Sequence, residues 1–291
     1  MSEGASVPRS GRDRLTFGLI GDPVAHSLSP AMHRAAFREL ALEAEYVPIR
    51  VAADAPGFVA DAMRGLASSG GGMGGGNVTL PHKSAAARTL DVRSEAVGRT
   101  GACNCFWQDE EGRLCGDNTD VEGILRVLES TRGLDPGGAS ILVLGAGGAA
   151  AATVVAALQA GAANISVRNR DRRRAEELVG RFPLGQVRLF EAGSPDADFD
   201  VVIQATSLGM NPEDPLPYTF SGQAPAHALD LVYRPGGTRW MAHARGHGAV
   251  VEDGTRVLLE QGVLSLERWL GKPVPAAVRT AMQSVLDGVS D

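Results

Sequence analysis

From Thr16 onward the chain alternates between two rhythms: short apolar runs that read as strands, and longer segments whose apolar residues recur every three or four positions. That alternation predicts an α/β fold with parallel strands. Phe17 to Gly21 reads as a first strand. Ser29 and Pro30 then read as an N-cap and first helical residue, with Met32, Ala36 and Leu40 following at four-residue spacing on one face. Tyr46 to Val51 is a second strand and Phe58 to Leu66 a second helix, whereas Ser68 to Gly76, nearly all Ser and Gly, reads as a flexible loop leading to Asn77. This first unit is expected to close near Asp117. A helix from about Val121 to Ser130 leads into a second unit with strands at Ser140 to Leu144, Asn164 to Val167, Val201 to Gln204, Ala228 to Val232 and Ala249 to Glu252. Beyond Gly254 the pattern is wholly helical, through Val257, Leu258, Gln261, Leu264 and Leu266 and then Val278, Met282 and Val285. These last helices are expected to pack back on the first unit.

One segment, Ile141 to Ala163, carries no charge and is long enough to cross a bilayer. Its large aliphatics are concentrated at Ile141 to Leu144, and glycines and alanines follow, so a buried strand, a tight turn and a packed helix are expected instead. At 291 residues the chain has room for two domains, and 44% apolar with 21% charged residues is ordinary globular composition. A net charge of -6 offers no footprint for nucleic acid or an anionic membrane, which leaves small-molecule chemistry. Cys103, Cys105 and Cys115 form neither a disulfide framework nor a zinc pattern, so no metal is expected, and reduced thiols fit a cytoplasmic protein. Residues 1–13 mix Ser, Gly, Pro and charges without an apolar stretch, and read as a disordered tail rather than a signal peptide.

The chemistry starts with a lysine. Of 28 basic residues only Lys83 and Lys272 are lysines, and an ammonium can release and regain a proton where a guanidinium cannot. Lys83 closes the heptapeptide Asn77-Val-Thr-Leu-Pro-His-Lys83. Further along, Ile141-Leu-Val-Leu-Gly-Ala-Gly-Gly-Ala-Ala150 is a G-x-G-x-x-A fingerprint: Gly145 permits the turn, Gly147 lets backbone amides approach a pyrophosphate, and Ala150 allows close helix packing. Where an NAD enzyme would place a carboxylate for the ribose, the text is Val167-Arg-Asn-Arg-Asp-Arg-Arg-Arg174. Arginines in a first helical turn oppose the dipole, and a bound 2′-phosphate would resolve that conflict, with Asp171 as N-cap. Asn104 offers both a donor and an acceptor to an alcohol. Asp120 offers a carboxylate for a proton or an ammonium, or merely caps the helix at Val121. Ser27 and Ser29, read as projecting to one side of an extended segment, could grip a carboxylate.

Together these motifs resemble the shikimate dehydrogenase family, over nearly the whole length from Phe17 to about Gly271. The resemblance rests on Ser27-Leu-Ser-Pro30, Asn77 to Lys83, Gly101-Ala-Cys-Asn104, Asn118-Thr-Asp120, Gly145 to Ala149, Asn169-Arg170, Ala205-Thr-Ser-Leu-Gly-Met210, Asp230-Leu-Val-Tyr233 and Gln261. It implies a substrate domain at 14–119, completed by 257–291, and a Rossmann domain for NADP at 120–256, with the active site in the cleft between. By the same resemblance Lys83 and Asp120 are the catalytic pair. Ser27 and Ser29 bind the substrate carboxylate, and Thr79, Asn104, Tyr233 and Gln261 surround its ring. Gly145, Ala146, Gly147, Gly148 and Ala149 hold the pyrophosphate, Asn169, Arg170 and Arg174 hold the 2′-phosphate, and Thr206, Leu231 and Gly254 lie near the nicotinamide.

The sequence departs from the family pattern at Asp171, where threonine is common, which keeps NAD open beside NADP. It departs also at Cys103 and Cys105, small enough to pack, and in the glycine-rich 70–76 loop, which lacks an aromatic and is expected to loosen domain closure. The expected reaction is reversible reduction of 3-dehydroshikimate to shikimate with NADPH, in the pathway to chorismate and the aromatic amino acids. Lys83 would stabilise and protonate the developing alkoxide. The partners expected are this small-molecule substrate and cofactor, in a monomer or homodimer. The rivals are an NAD-dependent quinate/shikimate dehydrogenase, another two-domain dehydrogenase such as a methylenetetrahydrofolate enzyme, and a non-catalytic dinucleotide-binding regulator.

Overall fold

A computed structural model describes residues 15–190, 199–222 and 224–290. The tail expected at 1–13 lies outside the described residues. In chain order the first sheet and its helices are β1 (Leu15–Gly21), α1 (Ser29–Glu39), β2 (Ala44–Arg50), α2 (Phe58–Ala67), a 3-10 turn at Ser69–Gly71, β3 (Gly75–Val78), α3 (Lys83–Thr89), β4 (Val92–Arg93), α4 (Glu95–Thr100), β5 (Cys105–Gln108) and β6 (Leu114–Asp117). Helix α5 (Thr119–Ser130) leads to β7 (Ser140–Leu144), α6 (Gly148–Gln159), β8 (Asn164–Arg168), α7 (Arg172–Val179), β9 (Val187–Leu189), β10 (Val201–Gln204), β11 (His227–Asp230), α8 (Arg239–Gly246) and β12 (Val250–Asp253), and α9 (Thr255–Leu270) and α10 (Ala276–Ser290) follow.

The second sheet has the order β12-β11-β10-β7-β8-β9 with every pairing parallel. That is the doubly wound dinucleotide-binding order, whose ligand crevice lies at the carboxyl ends of β7 and β10, where the chain direction of winding reverses. The first sheet, β2-β1-β3-β5-β6-β4, is mixed, because β5 runs antiparallel to both β3 and β6. The uncharged stretch from Ile141 to Ala163 resolves into β7 and α6. Ala150, Ala152, Ala156 and Ala157 are fully buried in the core shared with α5, and no helix among the described residues is long and apolar enough to cross a membrane. Helices α9 and α10 pack on the first sheet: Leu258, Leu259, Val263, Leu266, Val278, Met282 and Leu286 share one core with Phe17, Met32, Phe37 and Tyr46.

Three expectations change. The Ser/Gly stretch 68–76 is not one loop, because Gly75 and Gly76 are buried in β3. A Cβ on Gly75 would lie 2.5 Å from the Phe106 carbonyl oxygen and 3.2 Å from the Trp269 ring, and one on Gly76 would lie 2.3 Å from the Gly18 oxygen. The glycines therefore mark close approach rather than freedom: Trp269 stacks on Phe17 at 4.5 Å and donates to the Phe106 carbonyl at 3.1 Å over a strand with no side chains in the way. Ser29 is not an N-cap and does not lie in an extended segment. It is already helical, Leu28 occupies the cap position, and the Ser27 Oγ accepts the Ser29 N–H at 3.2 Å, folding the segment into a turn. Asp120 is not a cap either, because α5 starts one residue earlier, behind Asn118.

A cost is stored in the same core. His33 is fully buried, stacks on Tyr46 at 4.5 Å, and neither ring nitrogen has a hydrogen-bond partner among the described residues. Burial pushes its imidazole from 6.5 down to about 3. The folded protein therefore holds the ring neutral: its contribution to stability is complete above pH 6.5 and is lost as pH falls toward 3, by about 1.4 kcal/mol per pH unit. We expect His33→Phe to remove that slope. Urea unfolding of both proteins between pH 7.5 and 4.5 should show the variant's stability falling less steeply, and parallel curves would exclude His33 as the acid-sensitive group.

Candidate active site

A cleft of about 810 Å³ separates the two sheets, and Ser27, Ser29, Thr79, Lys83, Asn104, Asp120, Tyr233 and Gln261 all line it. The four strand- and helix-end residues Ala149, Thr206, Leu231 and Gly254 close its other side. Gly145, Ala146, Gly147 and Gly148 sit at the β7–α6 turn, and Asn169, Arg170 and Arg174 sit at the β8–α7 turn, outside that wall.

Lys83 is the first residue of α3 and Asp120 lies in the first turn of α5. The Lys83 Nζ donates to Asp120 Oδ2 at 2.5 Å, with the two side chains only 18% and 12% exposed. Asp120 Oδ1 accepts from Asn104 Nδ2 at 2.8 Å. The amide of Asn104 is in turn held from behind, because its Oδ1 accepts the Thr119 N–H at 2.7 Å. The carbonyl oxygen of Asn104 thus does for α5 what an N-cap side chain usually does, and this leaves the Asp120 carboxylate facing the cleft.

Beside Ser27 the Tyr233 hydroxyl meets the Ser27 side chain and the Leu28 backbone, and burial is the main reason its phenol is pushed above 10. Cys103 and Cys105 are fully buried, and burial pushes the Cys103 thiol up to about 12 and Cys105 upward as well. They fill space beside Asn104 and supply no nucleophile.

The loops after β10 and β11 are shaped by Gln204, which the sequence did not single out, and by Asp230, which it gave only as the start of the Asp230–Tyr233 motif. Gln204 and Asp230 end β10 and β11 and are completely buried. Gln204 accepts the Thr206 N–H at 2.5 Å and donates to the Leu208 carbonyl at 2.8 Å and to Asp230 Oδ1 at 3.2 Å. Asp230 also accepts from Thr238 Oγ1 at 2.6 Å and the Val232 N–H at 3.0 Å, while burial pushes its carboxyl up to about 6. Asn77 and Thr119, quoted only as parts of motifs, and Ser265, not singled out, form a buried layer around Asn104. Their only signals were the motifs around Asn77 and Thr119, and the spacing of Ser265 one turn beyond Gln261.

Two family models match the chain, the shikimate dehydrogenase substrate binding domain over residues 19–106 and shikimate / quinate 5-dehydrogenase over residues 130–210. The shikimate dehydrogenase (NADP(+)) of Rubrobacter xylanophilus is 40% identical over 290 residues, covering 95% of this chain and 98% of the relative. That of Moorella thermoacetica is 41% identical over 273 residues, covering 89% of each. The chain belongs to the shikimate dehydrogenase family. Among solved members, shikimate 5-dehydrogenase of Thermus thermophilus in complex with NADP(H) and shikimate superposes with a TM-score of 0.75 at 35% identity, over 93% of this chain and 99% of that one.

Near Lys83 the two units also meet closely, and Ala102 shares the approach. A Cβ on Gly148 would sit 3.2 Å from the Lys83 Cβ and 3.3 Å from its Cδ. The first turn of α6 therefore packs against the stem of the lysine. We expect Gly148→Ala to push that stem aside and to lower kcat by about tenfold, as small misplacements of a reacting group do, with little change in melting temperature. Steady-state kinetics beside a thermal scan would test this, and an unchanged kcat would show that Lys83 has room to adjust.

Proposed function

We propose that this protein reversibly reduces 3-dehydroshikimate to shikimate with NADPH, in the cytoplasm, as a step toward chorismate and the aromatic amino acids. The observation that carries the reading is the Lys83–Asp120 pair, 2.5 Å apart in a cleft that also holds Ser27, Ser29, Thr79, Asn104, Tyr233 and Gln261. In this reading the first sheet with α9 and α10 is the substrate domain, 14–119 and 257–291, and 120–256 is the cofactor domain.

The residues present suit a dinucleotide. Gly147 is the N-cap of α6 and has no side chain to bond the free N–H groups of the first turn, and a Cβ on it would meet nothing within 4 Å. Open space at a helix N-terminus whose amides lack a side-chain cap is a place for a pyrophosphate. At α7, Asp171 turns inward, accepting the Arg173 N–H at 3.1 Å, and Arg172 and Arg173 lean along the helix to Glu176 and Glu177. These two arginines are accounted for by pairs four residues on. Arg174 is 3.7 Å from Asp171, and Arg170 makes no ion pair among the described residues. Arg170 is thus the cation best placed for a 2′-phosphate, and a capping Asp171 is poorly placed to read a ribose, which favours NADP over NAD.

When bound, the reduced nicotinamide supplies the hydride. Ser27 and Ser29 hold the substrate carboxylate and so orient the ring, which Thr79 and Tyr233 flank. Asn104 and Gln261 fix its hydroxyls. As the ketone carbon is reduced, the oxygen becomes alkoxide-like, and the Lys83 ammonium stabilises that charge and gives up a proton. Asp120 holds the ammonium in place and shares its proton in both directions, so in oxidation the neutral Lys83 amine takes back the hydroxyl proton.

The direct test follows absorbance at the nicotinamide band with shikimate or quinate and NADP or NAD. Lys83→Ala should lower kcat by roughly a hundredfold or more while shikimate binding weakens far less. Asp120→Asn should lose turnover without losing melting temperature, since Asp120 caps no helix. Rates within threefold of the unmodified enzyme would remove either residue from the chemistry. For the cofactor, Arg170→Ala should erase most of the preference in kcat/KM for NADP while sparing the NAD reaction, and Asp171→Thr should strengthen NADP use. Equal efficiency with NAD in the unmodified enzyme would count against the assignment of Arg170.

A further inference from the structure

At the cleft wall, which Asn77 itself lines, polar groups of β3, α5 and α9 meet in a buried layer. Ser265, fully buried on α9, donates from Oγ to the Gln261 carbonyl at 2.8 Å. Its lone pairs face Asn77 Nδ2 at 2.8 Å and Thr119 Oγ1 at 3.3 Å. The second hydrogen of Asn77 Nδ2 goes to the Asn104 carbonyl at 3.0 Å, and Asn77 Oδ1 accepts the hydroxyl of the fully buried Tyr46 at 2.9 Å. The Asn104 backbone carbonyl, which can only accept, sets the Asn77 NH2 group on its own side, and the Tyr46 hydroxyl then braces the amide by donating to Oδ1. Thr119 Oγ1 accepts from Asn104 Nδ2 at 3.0 Å, and the same nitrogen bonds Asp120. Donation therefore runs from Tyr46 through Asn77 to Ser265 and Gln261, and a second line runs from Asn104 through Thr119 to the same Ser265 oxygen, while Asn104 also donates to Asp120. Neither Tyr46 nor Ser265 lines the cleft.

We propose that Ser265, oriented through Asn77 by Tyr46, is a positioning residue for the reaction: it holds Asn104 and Gln261 against the Lys83–Asp120 pair. The proposal rests on the dehydrogenase reading above. Its physical basis is that Ser265 joins three separately folded elements at one oxygen. Each of the three carries a residue of the cleft: Gln261 on α9, Asp120 on α5, and Asn77 on β3, whose amide also holds the Asn104 carbonyl. Replacing the hydroxyl by hydrogen removes the fully buried acceptor of one Asn77 N–H, so the amides must re-pair, and Asn104 moves with them.

The test uses the full chain with Ser265→Ala, Tyr46→Phe and the two combined. Ser265→Ala should lower kcat by about tenfold with KM for NADP within about twofold, because geometry at the reacting atoms changes while the cofactor turn does not. Tyr46→Phe, which removes one distant hydroxyl, should lower kcat in the same direction. The combined variant should be no slower than Ser265→Ala alone, since both act on one Asn77 amide. Losses that multiply in the combined variant, or a lowered melting temperature with kcat unchanged in both single variants, would overturn the proposal. A crystal structure of Ser265→Ala separates this from the wider reading. If the unmodified protein fails to turn over shikimate, the dehydrogenase reading falls, and an Asn104 amide displaced from Asp120 would still support the positioning role while an undisturbed one would end it.

Discussion

A carboxylate and an ammonium withdrawn from bulk water keep their charges only if the remaining lone pairs and protons are also met. For Asp120 the side chain of Asn104 meets that condition. It gives one hydrogen to the free Asp120 oxygen, and it takes the first backbone N–H of α5 on its own oxygen. Loop, helix and ion pair are thereby fixed to one planar amide, whose orientation cannot reverse without setting an NH2 group against an N–H donor. The start of α5, the direction of Asp120 and the reach of Lys83 follow from this single choice. So does the burial of a polar layer in a place where apolar packing would otherwise be expected.

The two sheets contribute to the cleft in different ways. The parallel sheet offers strand ends, whose loops are shaped by buried side chains such as Gln204 and Asp230 rather than by their own sequence. The mixed sheet offers a helix start at Lys83 and the Asn104 loop, and is stiffened from outside by α9. Arg268 reaches Asp117 at 2.7 Å, and Glu260, buried between α5 and α10, is gripped by Arg126 at 3.4 Å and by Arg279. Helix α9 is thus tied down at both edges of the face that presents Gln261.

Much of this was legible in the chain. The doubly wound unit announced itself through β7, the glycine turn and the alanine helix, since a strand with no charge and a helix of small residues have few other uses. The residues lining the cleft were readable because motifs bring them, each in its own short segment. What escaped was whatever depended on a distant partner. Gly75 and Gly76 looked like loop because the reason for them, Trp269 and the backbone of Phe106 and Gly18, lies elsewhere in sequence. Ser29 and Asp120 looked like caps because capping is local and frequent, while the true cap for α5 comes from Asn104, fifteen residues away. Ser265 sat on a helix face that reads as core and gave no sign that its neighbours are amides. The Arg172–Arg174 run looked uniform, yet Arg172 and Arg173 pair along their own helix and Arg174 sits close to Asp171.

The scarcity of lysine has a consequence for anyone handling the protein. Among its side chains there are two amines, Lys83 and Lys272; the second is exposed, and the first is mostly covered and bound to Asp120. Amine-directed labels and supports will therefore discriminate between these two positions with unusual sharpness. A dye or bead coupled through Lys272, beyond the end of α9, leaves the cleft untouched. Acylation at Lys83 would instead report, molecule by molecule, on how often its ion pair opens.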